Sequence, residues 1–347
     1  MMKFPATGVV ALITMCTVAC ADTPAPAARV APTVIAEARI DRWDPALDAI
    51  VPKDAKIEKI AEGFGWAEGP LWIKSGGYLL FTDVPGNRMW KWSEKGGLEK
   101  FLDPSGAAHP DMNVWREAGA NGLAVYDAHS ILVADTGNRG IQRLDLATRA
   151  KTPVAMLFEG KKFSSPNDVV MTKNGVVFFT DPPYGFRKFD DAPEKEIPFN
   201  GVYRVGKDGK VTAIEKELTR PNGVALSPDE TILYAAQSEG TKAIINAYSL
   251  DKDGNVTGKK LFVDVTDLVA PGAPGAPDGL TVAEDGTMFT SGPGGILVIS
   301  KDGKRLGRIW DGKQTANCKF GDDGKTLYMT SSNFVARIRV NVKGAGF

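Results

Sequence analysis

Pro277-Asp278-Gly279-Leu280, a polar residue set before glycine and an apolar run, has five counterparts along this chain. They are Glu68-Gly69-Pro70, Asn121-Gly122-Leu123, Asn167-Asp168-Val169, Asn222-Gly223-Val224 and, more weakly matched, Asn317-Cys318-Lys319. Successive copies lie 39 to 56 residues apart. Repetition at about 40–50 residues marks a β-propeller with one repeat per blade. Six copies predict an all-β, six-bladed β-propeller. If equivalent positions of six blades face one axis, Glu68, Asn121, Asn167, Asn222, Asp278 and Asn317 make a ring of oxygen donors with a central metal site.

The surrounding sequence fits that unit. Leu79–Thr82, Ile131–Ala134, Val176–Thr180, Ile232–Ala235, Thr287–Thr290 and Leu327–Thr330 read as short buried strands. Turns such as Lys173-Asn174-Gly175 and Glu284-Asp285-Gly286 precede them, and a further strand signal such as Arg88–Trp92 follows. The blade is expected as an inner strand and two more, joined by hairpins. No long stretch has a 3.6-residue apolar period, so few helices are expected. The longer connections, 103–120, 186–200 and 269–277, are expected on the rims, where they shape the mouth of a central site.

Composition narrows the function. The 347 residues are 43% hydrophobic and 24% charged, with Lys+Arg and Asp+Glu equal at 42 each. A net charge near zero, without basic clusters interleaved with aromatics, argues against nucleic acid as a partner. Lys3 precedes an uncharged, mostly apolar run ending Ala19-Cys20-Ala21, the pattern of a secretory signal cleaved near Ala21. Thr17-Val18-Ala19-Cys20 also resembles a bacterial lipoprotein box with Cys20 as the lipidated residue. The expected organisation is a signal over 1–21, a Pro/Ala-rich leader or linker over 22–45 and the propeller over 46–347. The expected location is the periplasm or beyond, free or lipid-anchored, with no membrane span in the mature domain. Cys318 is the lone cysteine of that domain, so no internal disulfide is expected, and it reads as a small buried hydrophobe.

Two carboxylates, Glu68 and Asp278, among neutral amides such as Asn222 match a hard divalent cation. Oxygen-only donors favour Ca²⁺, with Mg²⁺ or Mn²⁺ as alternatives. Zn²⁺ in a usual His/Cys site is disfavoured by the absence of a domain cysteine pair or a histidine cluster. His109 and His129 read as surface residues, and no Gly-x-Ser-x-Gly elbow accompanies them. Asp181-Pro182-Pro183-Tyr184-Gly185 reads as a stiff loop whose Tyr184 walls the substrate mouth.

Trp66-Ala67-Glu68-Gly69-Pro70, Ser165-Pro166-Asn167-Asp168, Thr180–Gly185, Arg220-Pro221-Asn222-Gly223 and Pro277–Leu280 resemble the SMP-30/gluconolactonase/LRE-like family, in its bacterial gluconolactonase-like branch. The resemblance runs from about Ile60 to Arg337 and implies a six-bladed propeller with one axial divalent cation that hydrolyses lactones. It implies Glu68, Asn222 and Asp278 as metal ligands, and Asn167 at both metal and substrate. Asp278 is the implied catalytic carboxylate, with Asn167 holding water or substrate; Asn121 and Tyr184 are expected at the substrate. The implied cation is Ca²⁺, with Zn²⁺, Mn²⁺ or Mg²⁺ as alternatives. The expected substrate is a small sugar lactone such as glucono-1,5-lactone. Two departures stand out. Asp135-Thr136 precedes Gly137-Asn138-Arg139 where many relatives carry Glu-His or Gln-His, and Ser164 replaces a common Asn. The alternatives are another lactone, ester or organophosphate at the same site, or a binding propeller with purely structural calcium.

Overall fold

A computed structural model describes residues 1–2 and 31–347; the expected signal segment lies outside the described residues except for Met1 and Met2. Six antiparallel sheets of four or five strands follow one another along the described chain, with one two-stranded hairpin, Leu157–Phe158 with Lys161–Lys162, between the second and third. The first four are built from Ala67–Ile73 to Gly97–Leu102, Ala120–Val125 to Lys151–Ala155, Val169–Met171 to Val211–Glu215, and Pro221–Leu226 to Val256–Asp264. The fifth runs from Leu280–Val282 to Arg305–Trp310, and the sixth from Thr315–Gly321 to Phe334–Arg339. Each inner strand touches the next, and the sixth touches the first, so the sheets close into a six-bladed β-propeller. The expected fold is the observed one.

Each blade has four strands rather than the three read from sequence. The outer strand was illegible because it is half exposed and lacks an apolar run: Lys151–Ala155 reads Lys-Thr-Pro-Val-Ala and buries only its last residue. In the sixth blade the outer strand comes from the other end of the chain, because Ile57–Glu62 pairs with Phe334–Arg339. The leader expected over 22–45 is part of the propeller in its described portion. Thr33–Val34 pairs with Ile57–Glu62, and Arg39–Arg42 extends the fifth blade beside Arg305–Trp310. Ion pairing explains part of this attachment: Asp41 accepts from Arg308 Nε at 2.9 Å. Helix is confined to Leu47–Ile50 and two short 3₁₀ turns among the described residues.

The core is divided into six seams, one between each pair of adjacent blades. Alternating strand side chains face opposite sides of a sheet, so both faces of each blade are apolar and each must be covered by a neighbour. Phe163, Phe179 and Tyr203 fill the seam of blades two and three, with ring centroids 5.0–5.2 Å apart. Trp72 stacks on Tyr328 at 5.6 Å where the sixth blade meets the first. A seventh, smaller cluster of Trp115, Ala118, Phe186 and Ala192 lies on the rim. It packs the loops before Ala120–Val125 and after Val177–Asp181 against each other. No helix among the described residues is long and apolar enough to cross a membrane.

Candidate functional site

The repeated glycine has a steric cause. A Cβ on Gly69 would lie 2.1 Å from the Asn121 carbonyl oxygen, and one on Gly223 would lie 2.1 Å from that of Asp278. A Cβ on Gly122 would strike Asp168, and one on Gly279 would overlap the Asn317 amide. Such overlaps cannot be relieved without moving a neighbouring blade. Glycine after the ring position is therefore what lets the next blade's ring residue approach.

That approach is sealed by hydrogen bonds from blade to blade. Thr82 Oγ1 donates to Asn121 O (3.1 Å), Gly122 N to Asn167 O (2.7 Å), and Thr180 Oγ1 to Asn222 O (2.6 Å). Gly223 N donates to Asp278 O (3.2 Å) and Gly279 N to Ala316 O (2.8 Å). Asn317 Nδ2 then donates to Glu68 Oε2 (3.2 Å), which completes the circuit. Register breaks beside Glu68, Asn121, Asn222 and Asn317 bulge the inner strands there.

Glu68, Asn121, Asn167, Asn222, Asp278 and Tyr184 all line one cavity of about 760 Å³ at this end of the propeller. Every residue assigned to metal or substrate from sequence is thus brought together. Asn317 is not on the wall; it stands behind Glu68 as its hydrogen-bond donor. Asp168 occupies the position that glycine takes in four other blades and turns into the blade joint, where its Oδ2 accepts from Val224 N at 3.0 Å. Cys318 takes the same position in the sixth blade and is fully buried and unpaired. His109 and His129 are exposed, as expected.

The donor set is biased toward oxygen. Asn222 donates its Nδ2 to Ser238 Oγ (2.9 Å), leaving its Oδ1 without that engagement. Asn121 and Asn167 make no side-chain hydrogen bond to the described residues although they are 4% and 6% exposed. Burial raises the Glu68 carboxyl above its ordinary range, and the Asp168 and Glu117 charges add to the shift. Burial likewise holds Asp278 well above the usual carboxylate range, with Glu68, Asp168 and Glu117 as like-charged neighbours. Neither carboxylate is ion-paired with a lysine or arginine among the described residues. No group of three His, Cys, Asp or Glu suited to a metal occurs among the described residues. Two uncompensated carboxylates with amide oxygens beside them nevertheless fit a hard divalent cation.

The wall also holds residues that sequence reasoning passed over: Trp66, Arg116, Glu117, Ser238 and Gln314. Arg116 and Glu117 arrive on the rim loop, tied down by Arg116 N donating to Gly185 O (2.7 Å) and Arg116 Nε to Tyr184 O (3.0 Å). Their signal was only their place in a long connection preceding a ring position. Asp181 explains the Ser-Pro-Asn segment: buried, it accepts Ser164 N (2.9 Å) and Ser165 N (2.7 Å) and so fixes the approach to Asn167. Burial pushes its carboxyl up to about 7 against those two hydrogen bonds. Thr136, at the departure from the relatives, is buried off the cavity wall and donates to Pro166 O (2.9 Å).

The model of the SMP-30/gluconolactonase/LRE-like region matches residues 66–333. The chain belongs to that family. Among SMP-30/gluconolactonase/LRE-like proteins, a gluconolactonase of Zymomonas mobilis is 43% identical over 310 residues, covering 88% of this chain and 87% of the relative. The pentonolactonase XacC of Haloferax volcanii is 26% identical, covering 76% and 81%. A solved gluconolactonase structure from Xanthomonas campestris is 27% identical with a TM-score of 0.77, covering 90% of this chain and 98% of that one.

Proposed function

We propose that this lactone-hydrolysing enzyme opens a sugar lactone, glucono-1,5-lactone or a related aldonolactone, to its aldonic acid with the help of one divalent cation, Ca²⁺ first. Glu68, Asn167, Asn222 and Asp278 would hold that cation. The observation that carries the reading is the pair of buried, unpaired carboxylates facing one cavity among amide oxygens. When bound, the cation supplies Lewis-acid polarisation of the lactone carbonyl and stabilises the charge that develops there.

The chain's own residues do the rest. Asn167, with its amide unengaged, orients the substrate or the attacking water. Asp278 takes the proton from that water as its oxygen bonds to the carbonyl carbon. The ring C–O bond then breaks and the ring oxygen leaves as a hydroxyl, receiving the proton that Asp278 took from the water. Tyr184 and Asn121 position the ring from the wall. No covalent intermediate is required, in keeping with the lack of a nucleophile–base pair among the described residues of the cavity wall. The protein is read as exported, in line with its first 21 residues.

The test is pH-stat hydrolysis of glucono-1,5-lactone by metal-stripped protein, with Ca²⁺, Zn²⁺, Mn²⁺ and Mg²⁺ added back singly. Acid release restored by a cation supports the reading. Full activity after stripping removes the cation from it, and inactivity with every cation removes the sugar lactone.

A further inference from the structure

We infer that Glu117, braced by Arg116, is the element that makes this site prefer polyhydroxylated lactones over plain ones; this deepens the sugar-lactone reading above and rests on it. The two residues stand on the cavity wall, contributed by the rim loop rather than by an inner strand. Glu117 is only 8% exposed. Its Oε1 accepts from Arg116 Nη2 at 2.8 Å, and no other hydrogen bond to its carboxylate comes from the described residues. Its second oxygen therefore faces the cavity as an acceptor without a donor among the described residues.

A carboxylate oxygen that faces the cavity loses its hydration when a substrate enters, which is costly unless the ligand donates to it. A sugar lactone presents adjacent hydroxyls, each able to donate to that oxygen and to accept from a guanidinium. A lactone without hydroxyls displaces the water and returns nothing, so the penalty falls on the wrong substrate. The geometry is held rigid for this purpose. Arg116 N and Glu117 N both donate to Gly185 O, at 2.7 and 3.3 Å. The Arg116 guanidinium carbon lies 5.2 Å from the Phe189 ring centroid, a cation–π contact. Trp66 and Pro85, also on the wall, offer apolar surface to the C–H face of a sugar ring. Glu117 is thus a stiff acceptor for substrate hydroxyls.

The experiment compares kcat/KM for glucono-1,5-lactone with kcat/KM for δ-valerolactone, which has the same ring and no hydroxyls. Glu117→Ala is expected to lower that ratio about 10–100-fold, chiefly through KM for the sugar lactone. Glu117→Gln, keeping one acceptor oxygen and the side-chain shape, is expected to lower it less. Near-UV circular dichroism checks the fold, and if Glu117→Ala does not fold, the ratio in Glu117→Gln decides. A ratio that does not move in a folded variant overturns the inference, even if both rates fall together, since that marks a purely structural role. Wild-type protein that does not hydrolyse glucono-1,5-lactone overturns the sugar-lactone reading and this inference with it. Wild-type activity with an unmoved ratio overturns the inference alone.

Discussion

Asn317 donates its side-chain amide to the Glu68 carboxylate at 3.2 Å across a sequence separation of 249 residues. Its own Oδ1 accepts from Cys318 N at 2.8 Å, which fixes which way the amide faces. The residue least like the other repeats is thus the one that joins the sixth blade to the first at the level of the site. Asn317→Ala leaves Glu68 with Gly69 N as its one remaining donor among the described residues and a small void beside it. The expected loss is about 1–3 kcal/mol of stability, read from urea unfolding, with lower lactonase activity in the folded protein. An Asn317→Ala protein as stable as wild type would show that the circuit is not closed by this bond.

Gly223→Ala tests the close approach of blades four and five. The new methyl would sit 2.1 Å from Asp278 O and 2.7 Å from a Leu280 methyl carbon. The backbone of Asp278 must move, so roughly 3 kcal/mol or more of destabilisation is expected, with loss of activity exceeding that of distant surface variants. Thermal unfolding and initial rates read both effects.

Asp278→Asn and Glu68→Gln preserve side-chain shape while removing charge from the cavity. Hydrolysis is expected to fall by at least about 100-fold in each, with circular dichroism unchanged. Removing a buried, like-charged carboxylate also relieves repulsion, so thermal stability without added cation should hold or rise. Near-wild-type rates in either variant would take the carboxylate out of the chemistry.

Asp311 makes a pH prediction away from the site. Burial pushes its carboxyl up to about 6, although hydrogen bonds from Ser331 Oγ and Lys313 N act in the opposite direction. The folded state then holds this proton more tightly than the unfolded chain does. Its contribution is present at about pH 4 and is lost as pH rises through about 6. Asp311→Asn, with the Ser331 hydroxyl free to turn and accept, should flatten this dependence. The wild-type advantage in unfolding free energy should shrink by up to about 3 kcal/mol between pH 4 and pH 7. Parallel slopes for the two proteins would place the Asp311 proton elsewhere.

The blade count and the shared cavity of Glu68, Asn121, Asn167, Asn222 and Asp278 were legible because they repeat, and Tyr184 was legible from its stiff Asp181–Gly185 loop. A polar residue tied to the start of each inner strand leaves a local mark. The reason for the glycine was not legible, since it lies in the next blade, about fifty residues away. Asp168 and Cys318 fill that slot where the joint can take a side chain, and they blur the pattern. Arg116, Glu117 and Gln314 escaped because irregular connections bring them to the wall without any period. The stretch from Thr33 to Arg42 was read as part of a leader because it continues a Pro/Ala-rich run, and its two strands prove short and exposed or half-buried. Its strand character comes only from the blade edges that it covers.

The pairing of Ile57–Glu62 with Phe334–Arg339 sets an order of events during synthesis. Apart from the two-residue Thr33–Val34, Ile57–Glu62 has no partner in its own sheet until Phe334–Arg339 arrives. Five blades can assemble as they emerge, but the ring waits for its final hairpin. Until then Ile57–Glu62 presents open backbone, the kind of edge that recruits strands from other chains. A product that stops short of Phe334 keeps that edge for good, so even a small C-terminal deletion should favour aggregation over a slightly weakened monomer.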